Sequence, residues 1–424
     1  MAVSVKRRLI LDDVNIFTPL GLSARKGEEM KQILKIEHSQ IVADDGIITI
    51  ICNAGDVIDM PEAEHTQYIN GNGRALVPGF VDSHTHMIFG GYRPEEFRWR
   101  LEGDSYMSIM ERGGGIQSTV NSTRCELEKS RAEVYDKATW LLGRMSAMGV
   151  TTVEAKSGYG LDKAAEISML RMIHELKDDP KVNVDIVSTF LGAHAVPAEY
   201  KGRTGEYIDF MINEVFPEIH EYAEFCDIFT EKNVFEIEES RKFMQAAKDA
   251  GFKLKFHADE IVPLGGAELA AEMGAVSADH LLHISDSGIR DMASTGVVAT
   301  LLPLTAFALK EPYAPARKMI DAGCAVALAT DLNPGSCFSG SIPLTISLAC
   351  TYMGMSIEET LTALTINGAA AIDRAHDRGT VEIGKRADFA LLHFPTIDYL
   401  PYYVGMNCVD ETIVSGRPAT RYEC

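Results

Sequence analysis

The stretch that decides the fold of this chain is Leu76-Val77-Pro78-Gly79-Phe80-Val81-Asp82-Ser83-His84-Thr85-His86. It is a short apolar run, rich in strand-forming residues, that ends in two histidines one residue apart. Alternate side chains of a strand point to the same face, so that both imidazoles can reach one point. This geometry suits two nitrogen ligands of a transition metal. Because such pairs also occur by chance, the metal interpretation requires further ligands at the ends of other strands.

The composition is that of an ordinary globular protein. The chain has 424 residues, of which 46% are hydrophobic and 24% charged, enough for a large core and for more than one domain. Its formal net charge of −21 argues against nucleic-acid and acidic-membrane partners, which require basic patches. An anionic small substrate is still compatible with this charge, because a single buried arginine can hold it.

No targeting or membrane segment is evident in the sequence. The basic residues near the start precede only three apolar ones, too few for a secretory signal, and no apolar stretch is long enough to span a bilayer. The eight cysteines are scattered without a C-x-x-C pair, which indicates buried thiols in a reducing compartment. We therefore expect a soluble, cytoplasmic protein.

Both ends of the chain carry short strand patterns separated by turn residues. Residues 1–75 contain runs such as 33–36 and 46–52, and the tail from residue 379 repeats this pattern. We expect the two ends, 1–75 and 379–424, to form one composite β-sandwich domain around a central body of residues 76–378.

The central body alternates strand and helix patterns, which is typical of a parallel α/β architecture. Helix patterns occupy residues 133–148, 163–176, 238–250 and 285–294. Strand candidates cover residues 75–86, 150–156, 185–194, 226–232, 253–257, 275–280, 297–303 and 324–331. Eight strands with intervening helices predict a (β/α)8 TIM-like barrel. The alternative is a doubly wound sheet, which would not bring the first and last strands together.

Polar side chains cluster at the predicted carboxyl ends of these strands, where such a barrel places its chemistry. The candidates there are His84, His86, His194, His257, Glu260, His280 and Asp331. Five of the twelve histidines fall at these positions, a clustering that ordinary core histidines would not explain. For the other seven histidines we expect no role in the site: His38, His65, His174, His220, His283, His376 and His393.

With these residues in view, the chain resembles the amidohydrolase superfamily of metal-dependent hydrolases. Residues 78–86, His257 and Asp331 match the metal-ligand pattern of that superfamily. Residues 379–388 match the segment with which its members lead from the barrel back into the β domain. Within that superfamily the chain closely resembles the imidazolonepropionase family, through the segments 89–93, 113–119, 156–161, 190–197, 257–260, 277–281 and 330–336. A homodimer is what this resemblance implies for the assembly.

The resemblance implies four metal ligands: His84, His86, His257 and Asp331. Three neutral imidazoles and one carboxylate leave a divalent cation with net positive charge and an open position for water. Such a cation lowers the pKa of bound water from 15.7 to roughly 7. We expect one ion per subunit, Zn²⁺, with Fe²⁺ as the alternative that tolerates the same donors.

Some members of the superfamily hold two metals bridged by a carboxylated lysine, and Lys156 lies near the end of the second strand. However, Ser157-Gly158-Tyr159-Gly160 follows it, which resembles the one-metal pattern. We therefore interpret Lys156 as a supporting or structural residue.

The implied reaction is hydrolysis of the ring amide C–N bond of 4-imidazolone-5-propanoate to N-formimidoyl-L-glutamate, in histidine degradation. We expect His280 to orient or deprotonate the water or to polarise the carbonyl, with Asp331 as the alternative proton acceptor. Glu260 suits the ring N–H groups and proton delivery to the leaving nitrogen. His194 suits a hydrogen bond to the ring or to the carbonyl.

Arg93 is the candidate for the substrate carboxylate, because its guanidinium group matches that anion. Tyr106 and Tyr159 can donate hydrogen bonds to the same carboxylate or to the ring, and a buried core tyrosine is the alternative for both. The glycines 113–115 lack the following Lys-Ser/Thr of a phosphate loop and predict a tight or mobile segment near the pocket.

The turn after Asp331 supplies the last candidates, which shape the turn and offer backbone contacts to the substrate: Asn333, Gly335 and Ser336. Three residues depart from the pattern expected in the family: Leu304, Leu332 and Cys337. None is a ligand, so the predicted reaction class is unaffected, and the effect on substrate fit is left open.

Two other functions compete with this interpretation. A cyclic-imine or aromatic deaminase of the same superfamily would share the metal, Glu260 and His280, but would not require Arg93 and Tyr159 for a carboxylate. A non-enzymatic scaffold would have lost ligands, whereas all four are present.

Overall fold

Two β-sheets organise the residues that the computed structural model describes, which are 5–104, 112 and 114–419. The strands are β1 Val5–Thr18, β2 Leu34–Asp44, β3 Ile47–Asn53, β4 Ala63–Pro78, β5 Phe80–Thr85, β6 Val150–Lys156, β7 Asp185–Ala193, β8 Phe225–Thr230, β9 Lys253–Ala258, β10 Ser277–His280, β11 Val298–Leu301, β12 Val326–Leu328, β13 Phe389–Leu392, β14 Val409–Val414 and β15 Arg417–Pro418. One sheet contains β5 to β12 in sequence order, with parallel pairing between neighbours.

Helices follow most strands of the parallel sheet. They are α1 Pro94–Leu101, α2 Ile116–Lys129, α3 Arg131–Ser146, α4 Lys163–Asp178, α5 Thr204–Phe210, α6 Phe216–Ile219, α7 Ile237–Asp249, α8 Gly266–Met273, α9 Asp286–Thr295, α10 Pro303–Leu309, α11 Ala316–Asp321, α12 Ile342–Tyr352, α13 Ile357–Leu364, α14 Ile366–Ala370 and α15 Tyr399–Tyr402. The four predicted helix patterns correspond to α3, α4, α7 and α9. Among the described helices, none combines the length and apolarity that a membrane span requires.

The parallel sheet closes into a barrel. The backbone N–H of Asp331, just after β12, donates to the carbonyl of His84 on β5 at 3.0 Å. The carboxylate of Asp82 on β5 accepts the backbone N–H and the hydroxyl of Thr330, at 3.1 and 2.6 Å. The first and last strands are therefore neighbours, which confirms the (β/α)8 barrel and excludes the doubly wound alternative.

The second sheet joins both ends of the chain, in the order β15-β14-β13-β4-β1-β2-β3. All its pairs are antiparallel except β1 with β4. Ile48 on β3 exchanges backbone hydrogen bonds with the segment 384–385, which leads into β13, so that the sheet curls back on itself. Its interior is apolar, with Leu9, Leu11, Ile41, Leu76, Phe389 and Ile413 among the buried residues. The predicted composite β domain is confirmed.

The predicted strand over residues 75–86 is divided at one glycine. β4 ends at Pro78 in one sheet and β5 begins at Phe80 in the other. A Cβ atom at Gly79 would lie 2.3 Å from the side chain of Thr151 on β6, so only glycine fits where the chain crosses between the sheets. The domain limits 1–75, 76–378 and 379–424 stay predictions.

Candidate active site

Four side chains predicted as metal ligands converge at the carboxyl end of the barrel. The Nε2 atom of His86 lies 3.3 Å from Nε2 of His84 and 3.4 Å from Nε2 of His257. An oxygen of Asp331 lies 3.4 Å from the same atom of His86 and 3.6 Å from Nε2 of His84. All four residues are buried, and the three histidines alone satisfy the spacing of a metal site.

The donor chemistry of this cluster fits a divalent cation. Nδ1 of His84 donates to Asp279 at 2.6 Å, so its Nε2 carries the lone pair. Nδ1 of His257 lies 3.0 Å from Asp227, which favours the same tautomer. Burial holds the pKa of His84 and of His86 well below the usual value, so both rings are neutral. Tetrahedral metal–nitrogen bonds of about 2.0–2.1 Å separate ligand atoms by about 3.3–3.4 Å, as observed here.

Two buried lysines stand behind the histidines and hold their carboxylate partners. Nζ of Lys156 lies 2.6 Å from Glu154 and 2.8 Å from Asp227, and Nζ of Lys255 lies 3.3 Å from Asp279. Burial lowers the pKa of Lys156, but the neighbouring carboxylates outweigh it and the net pKa is raised. A charged ammonium cannot be carboxylated, which supports the interpretation of Lys156 as a supporting residue.

His280 and Glu260 face each other beside the cluster. The His280 ring centroid lies 5.3 Å from that of His84 and 5.0 Å from that of His257. Its Nδ1 lies 3.6 Å from a carboxyl oxygen of Glu260, and neither ring nitrogen has a hydrogen-bond partner within the described part of the chain. Burial, assisted by two nearby carboxylates, raises the pKa of Glu260 to about 8, so this group is mostly protonated at neutral pH.

His194 and Tyr159 form an aromatic wall against His86. The rings of His194 and His86 stack, with centroids 4.9 Å apart, and the Tyr159 ring lies 5.2 Å from His194. Nδ1 of His194 donates to the carbonyl of Gly158 at 3.0 Å. Burial lowers the pKa of His194 to about 3, so the ring is neutral and its Nε2 is an acceptor. An acceptor suits a ring N–H of the substrate rather than its carbonyl.

The guanidinium group of Arg93 lies directly over Gly335. A Cβ atom at Gly335 would be 1.1 Å from Nη2 of Arg93. Nη1 of Arg93 lies 3.4 Å from Glu96, while its buried Nε has no hydrogen-bond partner among the described residues. Gly335 therefore makes room for a cationic group that retains free donors.

Asn333 shapes the turn after Asp331, as predicted. Its Oδ1 accepts the backbone N–H groups of Gly335 and Ser336 at 2.9 and 2.8 Å, and its Nδ2 donates to the carbonyl of Asp331 at 2.8 Å. The side chain is thus occupied within the turn. Substrate contacts of this turn stay a prediction and would come from its backbone.

The departures from the family pattern are buried. Leu304 and Cys337 pack in one small cluster with Leu348, and Leu332 belongs to the main core. The two departures at 304 and 337 therefore fill the same space together. Tyr106, the remaining predicted substrate contact, lies outside the described residues.

Comparison with known proteins agrees with this fold. Residues 234–419 match the sequence model described as the Amidohydrolase family. An adenosine deaminase from Xanthomonas campestris with bound zinc shares the fold, with a TM-score of 0.67 at 17% identity, covering 98% of this chain and 93% of that chain. A 5-methylcytosine deaminase from Klebsiella pneumoniae gives a TM-score of 0.71 at 16% identity, covering 98% of both chains. The barrel, the added β domain and the histidine cluster define a metal-dependent hydrolase of the amidohydrolase type.

Relatives of higher identity show which family within this class the chain belongs to. The imidazolonepropionase of Bacteroides thetaiotaomicron is 60% identical over 97% of this chain and 99% of that protein. The imidazolonepropionase of Clostridium tetani is 52% identical over 96% of this chain and 97% of that protein. The chain belongs to the imidazolonepropionase family.

Proposed function

We infer that the chain hydrolyses the ring amide C–N bond of 4-imidazolone-5-propanoate to N-formimidoyl-L-glutamate, a step of histidine degradation. The observation that carries this function is the cluster of His84, His86, His257 and Asp331, in a chain 60% identical to an imidazolonepropionase. The rest of the site supplies what a small anionic ring requires: a cation, proton donors and acceptors, and an aromatic wall.

The four clustered residues would hold the metal, and three nitrogen donors with one oxygen donor favour Zn²⁺, with Fe²⁺ as the alternative. When bound, the metal supplies a Lewis acid that lowers the pKa of water to near neutrality. One ion per subunit is proposed, because the lysine that could bridge a second is occupied by two carboxylates.

Three residues would divide the proton transfers. As water adds to the ring carbonyl it loses a proton, and the ring nitrogen gains one as the C–N bond breaks. Burial keeps the pKa of His280 well below its usual value, so this ring suits hydrogen-bond donation to the carbonyl better than proton acceptance. Asp331 is then the better acceptor, because its carboxylate lies at the cluster where the water would be activated. Protonated Glu260 would deliver the proton to the leaving nitrogen.

Substrate orientation would come from a second group of residues. Arg93 would bind the propanoate carboxylate through its free donors, and Nε2 of His194 would accept a ring N–H. Tyr159 and Tyr106 would donate hydroxyl hydrogen bonds, and the backbone of the turn at 333–336 would close this side. The substrate of the rival deaminase function would carry no carboxylate for Arg93 to bind.

Replacing Arg93 by alanine should raise the KM for the substrate about 30- to 150-fold, because a charge-assisted contact contributes about 2–3 kcal/mol. Metal content should stay normal, since the ion pair that Arg93 makes among the described residues is with Glu96 and not with the cluster. Arg98→Ala is the matched control, because Arg98 is exposed and its ion pair among the described residues is with the exposed Glu102. An unchanged KM in Arg93→Ala would remove this residue from substrate binding.

Replacing Gly335 by alanine should reproduce much of this defect without touching the guanidinium group itself. The added methyl would overlap Nη2 of Arg93 and displace it, so we expect KM to rise about tenfold or more with normal metal content. Gly205→Ala is the control, since a Cβ atom there would have no described atom within 4 Å. Wild-type KM in Gly335→Ala would show that the position of Arg93 is not critical.

Metal affinity should fall as the pH drops below about 6. Burial raises the pKa of Asp331 to about 6 in the metal-free protein, so below that pH the metal must displace a proton and affinity falls about tenfold per unit. Thr305 donates to Asp331 at 2.6 Å and stabilises its charged form. Thr305→Val should therefore raise the pH below which metal affinity begins to fall, as measured in a competition titration with a chelator. An affinity that stays constant from pH 7 to pH 5 would contradict Asp331 as a ligand.

A spectrophotometric assay with freshly prepared 4-imidazolone-5-propanoate tests the function directly. We expect turnover that a chelator abolishes and that Zn²⁺ or Fe²⁺ restores, the more active ion identifying the cofactor. Absence of turnover by metal-loaded protein would refute the function.

A homodimeric state and a cytoplasmic location are further proposals, tested by light scattering and by cell fractionation.

A further inference from the structure

A buried carboxylate ties the segment after Glu260 to a different strand of the barrel. Glu231 directly follows β8 and is 1% exposed. One of its oxygens accepts the backbone N–H groups of Ile261 and Val262 at 2.9 and 3.3 Å, and the other accepts that of Lys232 at 2.8 Å. A single side chain thus joins the end of β8 to the two residues that follow Glu260.

The Glu260 side chain has little else to fix its position. Within the described part of the chain no group hydrogen-bonds its carboxyl, and His280 lies 3.6 Å away. On its amino-terminal side, the carboxylate of Asp259 accepts four backbone N–H groups of residues 264–267 at 2.9–3.2 Å. The carboxyl group of Glu260 is therefore placed by anchors on its backbone. The N–H of His283, after β10, donates to the carbonyl of Asp259 at 2.9 Å, and Glu231 holds the two residues on the other side of Glu260 from the end of β8.

Glu231 is itself held rigidly. Its backbone N–H donates to the carbonyl of Phe235 at 3.1 Å, and its carbonyl accepts the N–H of Val234 at 3.0 Å. The groups that act electrostatically with Glu260 are Glu231 after β8, Asp331 after β12, His280 on β10 and Tyr159 after β6. Two of these four are carboxylates, which disfavour ionisation of Glu260.

We propose that Glu231 is a positioning residue for Glu260, holding the segment after β9 so that the Glu260 carboxyl reaches the leaving nitrogen of the substrate. This role rests on the proposed function, because it requires Glu260 to deliver a proton. It predicts a loss in the chemical step rather than in substrate binding, since the hydrogen bonds that the Glu231 carboxylate accepts from described residues come from backbone N–H groups.

Glu231→Gln in the metal-loaded full-length protein tests this role, because the amide keeps the size of the side chain but places an NH₂ group against N–H donors. We expect kcat to fall about tenfold or more with KM within about twofold and metal content unchanged. We also expect the alkaline limb of the kcat profile to move to lower pH by about half a unit or more, because a neighbouring negative charge is removed. Glu231→Asp keeps that charge on a shorter side chain and should lose kcat without this shift.

Glu359→Gln is the matched control. Glu359 lies on α13, is fully buried and forms an ion pair with Arg317 at 2.8 Å. It should lower Tm yet leave kcat and the pH profile unchanged. Wild-type kcat in both Glu231 variants, or equal kcat losses in Glu231→Gln and Glu359→Gln, would overturn the proposal. If the wild-type protein does not turn over the substrate, the proposed function fails instead, so the two failures are distinguishable.

Discussion

Replacing His257 by alanine is expected to abolish turnover and metal binding together. Its Nε2 lies 3.4 Å from that of His86, and its loss leaves two nitrogen donors and one carboxylate. The metal that would activate water is then bound too weakly to remain, so kcat/KM should fall by at least about 10³-fold. Mass spectrometry of the dialysed protein measures metal content beside the activity assay.

The control for this substitution is His174→Ala, because His174 is half exposed on α4 and remote from the cluster. It should retain both metal and activity. Normal metal occupancy in His257→Ala would refute this residue as a ligand, whatever its activity.

Glu260→Gln is expected to retain the fold and the metal while kcat falls about 10²- to 10⁴-fold, the usual contribution of a general acid or base. The amide is nearly isosteric with the carboxyl group but cannot deliver a proton. Because burial raises the pKa of Glu260 to about 8, the wild-type group is protonated at neutral pH and loses its proton above pH 8. The wild-type kcat should therefore decline above about pH 8, and Glu260→Gln should lose this limb.

Glu175→Gln is the control, since Glu175 pairs with Arg131 on the surface. Wild-type kinetics in Glu260→Gln would remove this residue from the mechanism. A loss of metal in the same variant would show instead that it contributes to the metal site.

The convergence of the four proposed ligands was predictable because parallel strands in a barrel end at one face. His84 and His86 share a strand face by the two-residue repeat, and His257 and Asp331 follow from the ends of other strands. This reasoning needs only the order of strands, not their detailed packing. The composite β domain was predictable for a similar reason, since both chain ends carry the same strand and turn pattern.

The supports of the site could not be predicted in the same way. Asp227 and Asp279 lie inside short apolar strands. In the sequence, a carboxylate within an apolar strand is the one sign that these side chains have buried partners. Their pairing with particular histidines, and with Lys156 and Lys255, depends on strand register across the barrel. The close approach of the Arg93 guanidinium group to Gly335 likewise joins residues 242 positions apart in the sequence. Such a contact is visible in the folded chain and not in the sequence.

Anomalous diffraction at the metal absorption edge, from crystals of the active enzyme, tests the central claim most directly. We predict one peak per subunit, about 2.0–2.2 Å from Nε2 of His84, His86 and His257 and from an oxygen of Asp331. A peak bound elsewhere, or an active enzyme with no metal among these four residues, would contradict the account.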